Sequence, residues 1–251
     1  MNPYINPDRI EFPVTFRCTG KCKHCSESEK LSDSAYIDGA AAADVVLRLC
    51  GEYDIKSVMT FGGEPLLYAE SVCMIHNAAE KKNVPHRQLI TNGFFSKDKK
   101  FIAQTAERLC ASGVNAVLLS VDAFHQEHIP IEPVLIFAEA VKSFGVNIRT
   151  HPAWLTSKEA LNPYNIRTAE ILRKFEASGI YQSDGNVIFP SGNALKYLGD
   201  YFDTDKNYEN PYEQDPFNIS TISISPNGDV LGGNVYDTDI LEIIKNYIPK
   251  E

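Results

Sequence analysis

The stretch "IEFPVTFRCTGKCKHC", residues 10–25, runs from an apolar segment straight into a loop with three cysteines. Residues 10–16 are rich in β-branched and aromatic side chains and predict a strand, and the loop opens where that strand ends. The same pattern recurs outward from it. A helix near 39–52 leads to a second strand at 56–61, which runs into "GGEP" and a helix over about 67–82. A third strand, "RQLITNG" (87–93), precedes a helix at about 98–112, and a fourth, "AVLLSVD" (116–122), precedes one at about 132–144. A fifth, "VNIRTHP" (146–152), precedes a helix near 165–178, and "NVIFP" (186–190) reads as a sixth. Strands alternating with helices predict an α/β chain with one continuous parallel sheet. The chemically unusual residues all fall where these strands end, the face on which such sheets and barrels carry their sites.

At 251 residues the chain fits one large domain, and 43% hydrophobic against 23% charged residues supplies a buried core. A net charge of -9 disfavours phosphate backbones and anionic lipid, so neither nucleic acid nor membrane is an expected partner. The start "MNPYINPDRIEF" has no basic region followed by an apolar run, and no apolar stretch reaches membrane-spanning length. The expected location is cytoplasmic.

In a reducing compartment, a compact cysteine group reads as metal-binding or catalytic rather than as a disulfide framework. Cys50, Cys73 and Cys110 stand apart from it, each on a helical pattern whose apolar spacing includes the cysteine, and read as small core side chains. Cys18, Cys22 and Cys25 can wrap a soft-metal centre. Zinc with His24 as fourth ligand requires the adjacent His24 and Cys25 to chelate together, a poor spacing. A four-cysteine electron carrier lacks its fourth cysteine. A third option is a [4Fe–4S] cluster held by three cysteines, with one iron left for a ligand from outside the chain.

"CTGKCKHC" resembles the Cx3CxΦC loop of the radical S-adenosylmethionine (SAM) superfamily, with His24 at the aromatic position, and "FGGEP" resembles its GGE motif. The resemblance covers about residues 10–195. It implies a partial (β/α)6 barrel, with a radical SAM core at 1–195 and a small C-terminal hairpin and helix cap at 196–251 in the same compact unit. It also implies cofactors: one [4Fe–4S] cluster on Cys18, Cys22 and Cys25, and SAM, whose amino and carboxylate groups chelate the fourth iron. One electron from the reduced cluster then cleaves SAM, and the 5′-deoxyadenosyl radical takes hydrogen from substrate. By the same resemblance Gly62, Gly63 and Glu64 receive the methionyl ammonium, and Ser120 and Asp122 contribute a ribose contact. Arg149 would pair with the SAM carboxylate and Asn92 would join the cofactor site. The backbone around Gly192 would lie near adenine. A reductant such as flavodoxin or ferredoxin is implied as partner.

Two further segments invite a reading. "DAFHQEH" gathers His125, Glu127 and His128 at the mouth, where a substrate-facing loop is expected, and His151 and Trp154 invite the same reading. "STISISPNGDVLGGNVY" alternates around Asn-Gly, a hairpin signal, and "DTDILEIIKNYI" predicts a closing helix capped by Asp or Thr. The hairpin resembles the opening of SPASM or twitch extensions, but Gly232 and Gly233 stand where those carry a cluster-binding cysteine. A single cluster is therefore expected. The sequence points to an enzyme that takes hydrogen from a ribosomal peptide or a small polar metabolite. The alternatives are an activase of a glycyl-radical enzyme, or a noncatalytic iron–sulfur or zinc protein.

Overall fold

The computed structural model describes residues 2–26, 34–203, 205–210 and 213–250. Its strands β1 (Ile5–Pro13), β2 (Ser57–Phe61), β3 (His86–Thr91), β4 (Ala116–Leu119) and β5 (Asn147–Thr150) pair in parallel, each with the next. Helices α1 (Gly39–Glu52), α2 (Ala69–Lys81), α3 (Lys99–Ala111) and α4 (Ile131–Ser143) make the crossovers. The caps explain most of the helix starts. The carboxylate of Asp38 accepts from the N–H groups of Ala40 and Ala41, and that of Asp98 from those of Lys100 and Phe101, so donors with no intrahelical partner are satisfied. α5 (Pro163–Ala177) opens on Asn162, with a proline at its first position.

Strand residues two apart face the helices: Ile10 and Phe12 on β1, Val117 and Leu119 on β4. They pack with Leu49, Ile75, Ile102 and Phe137 from the four crossover helices into one core. Each such fully buried side chain contributes about 1.5–3 kcal/mol. Cys50, Cys73 and Cys110 are half-buried and pack against this core, in keeping with their helical spacing.

The sixth position in the sheet departs from expectation. The sheet order is β5-β4-β3-β2-β1-β8, where β8 is Ile219–Ser223 and pairs in parallel with β1. Residues 186–190 supply only β7 (Asn186–Val187), which pairs with β6 (Ala153–Trp154) in a separate two-stranded ribbon. The sixth strand therefore comes from the segment read as half of a hairpin. Asn227 and Gly228 do make a tight turn, closed by the Gly228 N–H on the Ser225 carbonyl at 2.9 Å. The antiparallel pair, however, is β9 (Asp229–Val230) with β10 (Gly233–Asn234). Leu231 and Gly232 join these strands at φ 51° and 80°, the left-handed pair that tight hairpins require. After α6 (Asn193–Leu198) and the β8–β10 segment, α7 (Ile240–Asn246) closes the chain on an Asp239 cap and buries Ile240, Ile243 and Ile244. Among the described residues, no helix is long and apolar enough to cross a membrane.

Candidate functional site

A cavity of about 250 Å³ opens at the C-terminal ends of the strands, lined by Cys18, Cys22 and Cys25 together with Gly62, Gly63, Asn92, Ser120 and His151. Cys22 is buried, Cys18 and Cys25 are half-buried, and none is in a disulfide. Gly20 decides the shape of their loop. A Cβ there would lie 3.3 Å from the Cys22 sulfur and 3.7 Å from the Cys18 sulfur, so glycine leaves open a hollow that both sulfurs face. The Gly20 N–H donates to Cys18 Sγ at 3.3 Å, and Asn92 Nδ2 approaches the same sulfur at 3.5 Å. Asn193, at the start of α6, donates through its side chain to the Cys22 carbonyl and through its N–H to the Cys25 carbonyl, both at 3.1 Å. Burial pushes the Cys18 thiol up to about 11. A bound metal offsets that cost, since it binds the thiolate and displaces the proton. Three soft donors converging on one cavity, with N–H groups aimed at sulfur, fit an iron–sulfur cluster.

The loop after β2 runs against this one. The Gly63 N–H donates to Thr15 O at 2.7 Å and the Glu64 N–H to Arg17 O at 2.8 Å. A Cβ on Gly62, at φ 135°, would strike Thr15 O, and one on Gly63 would strike Arg17 O, so only glycine permits the approach. Glu64 differs from the expected ligand acceptor. Its carboxylate is fully buried and already accepts from the Leu66 N–H at 3.0 Å, Thr91 Oγ1 at 2.6 Å and the Asn92 N–H at 2.9 Å. It ties the β2 loop to the end of β3. Burial raises its pKa to about 7, against the pull of those three hydrogen bonds.

Ser120 lies on the cavity wall as expected, but β4 ends at Leu119, so Asp122 is not its neighbour on a strand face. Asp122 is fully buried at the cavity's border and its carboxylate is occupied. Oδ1 accepts from the N–H groups of Phe124 at 2.9 Å and His125 at 3.0 Å, Oδ2 from that of Ala153 at 3.0 Å, and both oxygens lie 2.9 Å from His125 Nδ1. A ribose contact through this carboxylate would have to displace one of these donors. Burial alone would raise the Asp122 pKa, but His125 outweighs it and holds it below the usual carboxylate range. Burial likewise opposes a charged His125, yet Asp122 and the Cys22 side chain hold the imidazole well above its ordinary value. Arg149 is exposed and does not line the cavity, because β5 buries the alternate residues Ile148 and Thr150. Asn92 is buried on the wall, beside Cys18 and Thr19.

The "DAFHQEH" segment divides. His125 turns inward, Glu127 pairs with Lys23 at 2.9 Å, and His128 is exposed. Trp154 is buried and its indole N–H donates to Asp184 O, so it is a core residue rather than a substrate contact. Ligand atoms of His24, Asp122 and His125 lie within 4.8 Å of one another, but four N–H groups already surround the carboxylate. The group orients loops. The residues that sequence reasoning missed, Thr91 and Asn193, carry no spacing signal because their partners are tertiary.

Residues 12–149, more than half of the chain, match the Radical SAM superfamily. A GTP 3′,8-cyclase of Listeria welshimeri is 27% identical over 122 residues, covering 48% of this chain and 35% of that one. A probable GTP 3′,8-cyclase of Methanopyrus kandleri is 32% identical over 114 residues, covering 45% and 34%. The matched stretch thus spans about a third of the length of these curated relatives. Among solved structures, Streptococcus suis SuiB bound to precursor peptide SuiA superposes with a TM-score of 0.59 at 14% identity, covering 97% of this chain and 65% of that one. The structure of anSMEcpe with bound AdoMet gives 0.59 at 16% identity, covering 96% and 78%. These likenesses share the α/β partial-barrel fold. The chain belongs to the radical SAM superfamily, whose cofactors are a [4Fe–4S] cluster and S-adenosylmethionine.

Proposed function

We propose that this chain is a radical SAM enzyme in which Cys18, Cys22 and Cys25 hold a single cluster, and that it takes hydrogen from a peptide or a small polar metabolite. The observation that carries the reading is that all three cysteines line one cavity, with the Cys18 and Cys22 sulfurs at the hollow that Gly20 leaves. When bound, the cluster and SAM supply one-electron cleavage and a hydrogen-abstracting radical. The chain's own residues position and enclose. Gly62 and Gly63 bring main chain to the cavity without a side chain in the way, and the Ser120 hydroxyl offers a polar contact. With Glu64 tied to β3, the main chain of the glycine strip is the available acceptor for an ammonium group.

A second cavity, roughly 680 Å³, adjoins the first through the shared wall 186–189 and is faced by Tyr201, Tyr208, Lys206 and Glu209. This is the substrate side of the proposal. A mixed polar and aromatic lining suits either substrate class named by the comparisons, a nucleotide for the cyclases or a peptide for SuiB. Anaerobic reconstitution tests the reading. About four iron and four sulfide per chain are expected, with 5′-deoxyadenosine formed on reduction with SAM and lost on changing any of the three cysteines to Ala. One zinc per chain, or an intact cluster that never cleaves SAM, would favour the noncatalytic alternatives.

A further inference from the structure

We infer that the substrate is a polypeptide segment, bound extended along the free edge of β7. The inference rests on the proposed radical SAM activity with its substrate in the second cavity, and it chooses between the peptide and the small metabolite named there.

The edge is free because of how the sixth position of the sheet is filled. β8 takes that position beside β1, so β7 has β6 as its one strand partner among the described residues. The Asn186 N–H donates to Pro152 O and the Ile188 N–H to Trp154 O, both at 2.9 Å. Backbone groups alternate in direction along a strand, so the N–H and C=O of Val187 and the N–H of Phe189 point away from β6. Among the described residues none of these three groups has a hydrogen-bond partner. The Phe189 carbonyl accepts from the Ser191 N–H at 2.9 Å, and there the edge ends.

Two donors and an acceptor at a two-residue repeat match the backbone of one extended chain, which is the pattern that strand addition reads. Natural edges that stay single are guarded by charged side chains or bulges, whereas Val187 is uncharged and 53% exposed. Residues 186–189 form the wall shared by the two cavities, so a chain paired to this edge passes the cavity that the three cysteines line.

Charge separates this occupant from a nucleotide. A triphosphate is held by several cations, arginine above all. Lys206 is the one lysine or arginine among the described residues lining either cavity, and its ammonium stands 5.3 Å from the centroid of the Tyr208 ring. Asp203 and Glu209 line the same cavity and outnumber it, which favours a segment carrying Lys or Arg over an anion. The Tyr208 hydroxyl accepts from the Asp203 N–H at 3.1 Å and its ring meets Phe202 edge-on at 6.1 Å, so an aromatic wall is fixed in place for the side chains of that segment.

The test uses immobilised, reconstituted holoprotein with SAM and three probes: a synthetic pool of random decapeptides, the same pool N-methylated at every residue to remove its donors, and GTP. The unmodified pool should be retained about tenfold better than the methylated one, with Lys and Arg enriched in the retained fraction, and GTP should not be retained. Val187→Pro deletes the outward N–H without removing a bond to β6, and should lower retention of the unmodified pool about tenfold at unchanged iron content. Val187→Thr, which keeps the N–H, should retain it as wild type does. Equal retention of the two pools, retention of neither, preference for acidic peptides or preference for GTP would each overturn the inference. So would a Val187→Pro holoprotein with wild-type iron and wild-type retention. If that variant loses iron, the two pools on the wild-type protein decide alone. A wild-type chain that takes up no iron or never cleaves SAM would remove the activity on which the inference rests, whereas one that cleaves SAM and retains no peptide removes this inference alone.

Discussion

Glu64 and Asp122 are both fully buried carboxylates beside one cavity, one on the β2–β3 side and the other on the β4–β5 side, and their surroundings push them in opposite directions. Glu64 accepts from three neutral donors, which join two loops but do not replace lost hydration, so its pKa rises to about 7. Asp122 adds an imidazole to its backbone donors, and that partner carries it below the usual range. The difference teaches that burial alone does not set a carboxylate's charge state. Neither group is left open toward a ligand, since both fasten the strand ends around the cysteine loop.

The comparison breaks most readily at Asp122. Asp122→Asn leaves the largely enclosed imidazole of His125 without its fully buried carboxylate, a change that costs up to about 3–5 kcal/mol when one partner of a buried pair is removed. Urea unfolding of the metal-free protein should show it, and a loss under 1 kcal/mol would mean that the pair is not the anchor described. Glu64→Gln should cost less, about 1–2 kcal/mol, because an amide keeps one acceptor but turns N–H groups toward the Asn92 N–H.

The pH trend sharpens the contrast. Glu64 has its folded pKa raised above the unfolded value, so its contribution is fully present below about pH 4 and is lost as pH rises through about 7. Between pH 6 and 8 the gap between wild type and Glu64→Gln should therefore narrow by about 1 kcal/mol. A gap that widened over that range would reverse the assignment. The smallest effect is expected at Arg149. Arg149→Ala should leave stability within about 0.5 kcal/mol and the dissociation constant for SAM within twofold, since the side chain is exposed and off the cavity wall. A tenfold weaker SAM affinity would restore the carboxylate-binding role that the sequence suggested.

The fold was legible wherever local signals agreed. α1 and α3 start on Asp38 and Asp98 and alternate with short β-branched strands, and the sequence pattern found both helices and strands β2 to β5 within a few residues. The sixth strand was not legible, because a strand's partner is a tertiary choice. Residues 219–223 bury Ile219 and Ile222, three apart, a spacing that singles out neither a hairpin arm nor a parallel edge strand, and nothing local says that β1 is their neighbour. The site divides in the same way. The spacing of Cys18, Cys22 and Cys25 and the glycine pair is a sequence pattern. The tie of the Glu64 carboxylate to Thr91 and Asn92 is made only by folding. "DAFHQEH" was conspicuous, but whether a histidine faces substrate or turns back onto its own loop depends on the Asp122 turn that captures it.

The most direct test of the central claim, that three cysteines hold a cluster with a corner open to SAM, is the electron paramagnetic resonance spectrum of the reduced holoprotein with and without SAM. The account predicts a [4Fe–4S] signal that changes when SAM is added. A reduced cluster whose spectrum stays the same at saturating SAM would contradict it.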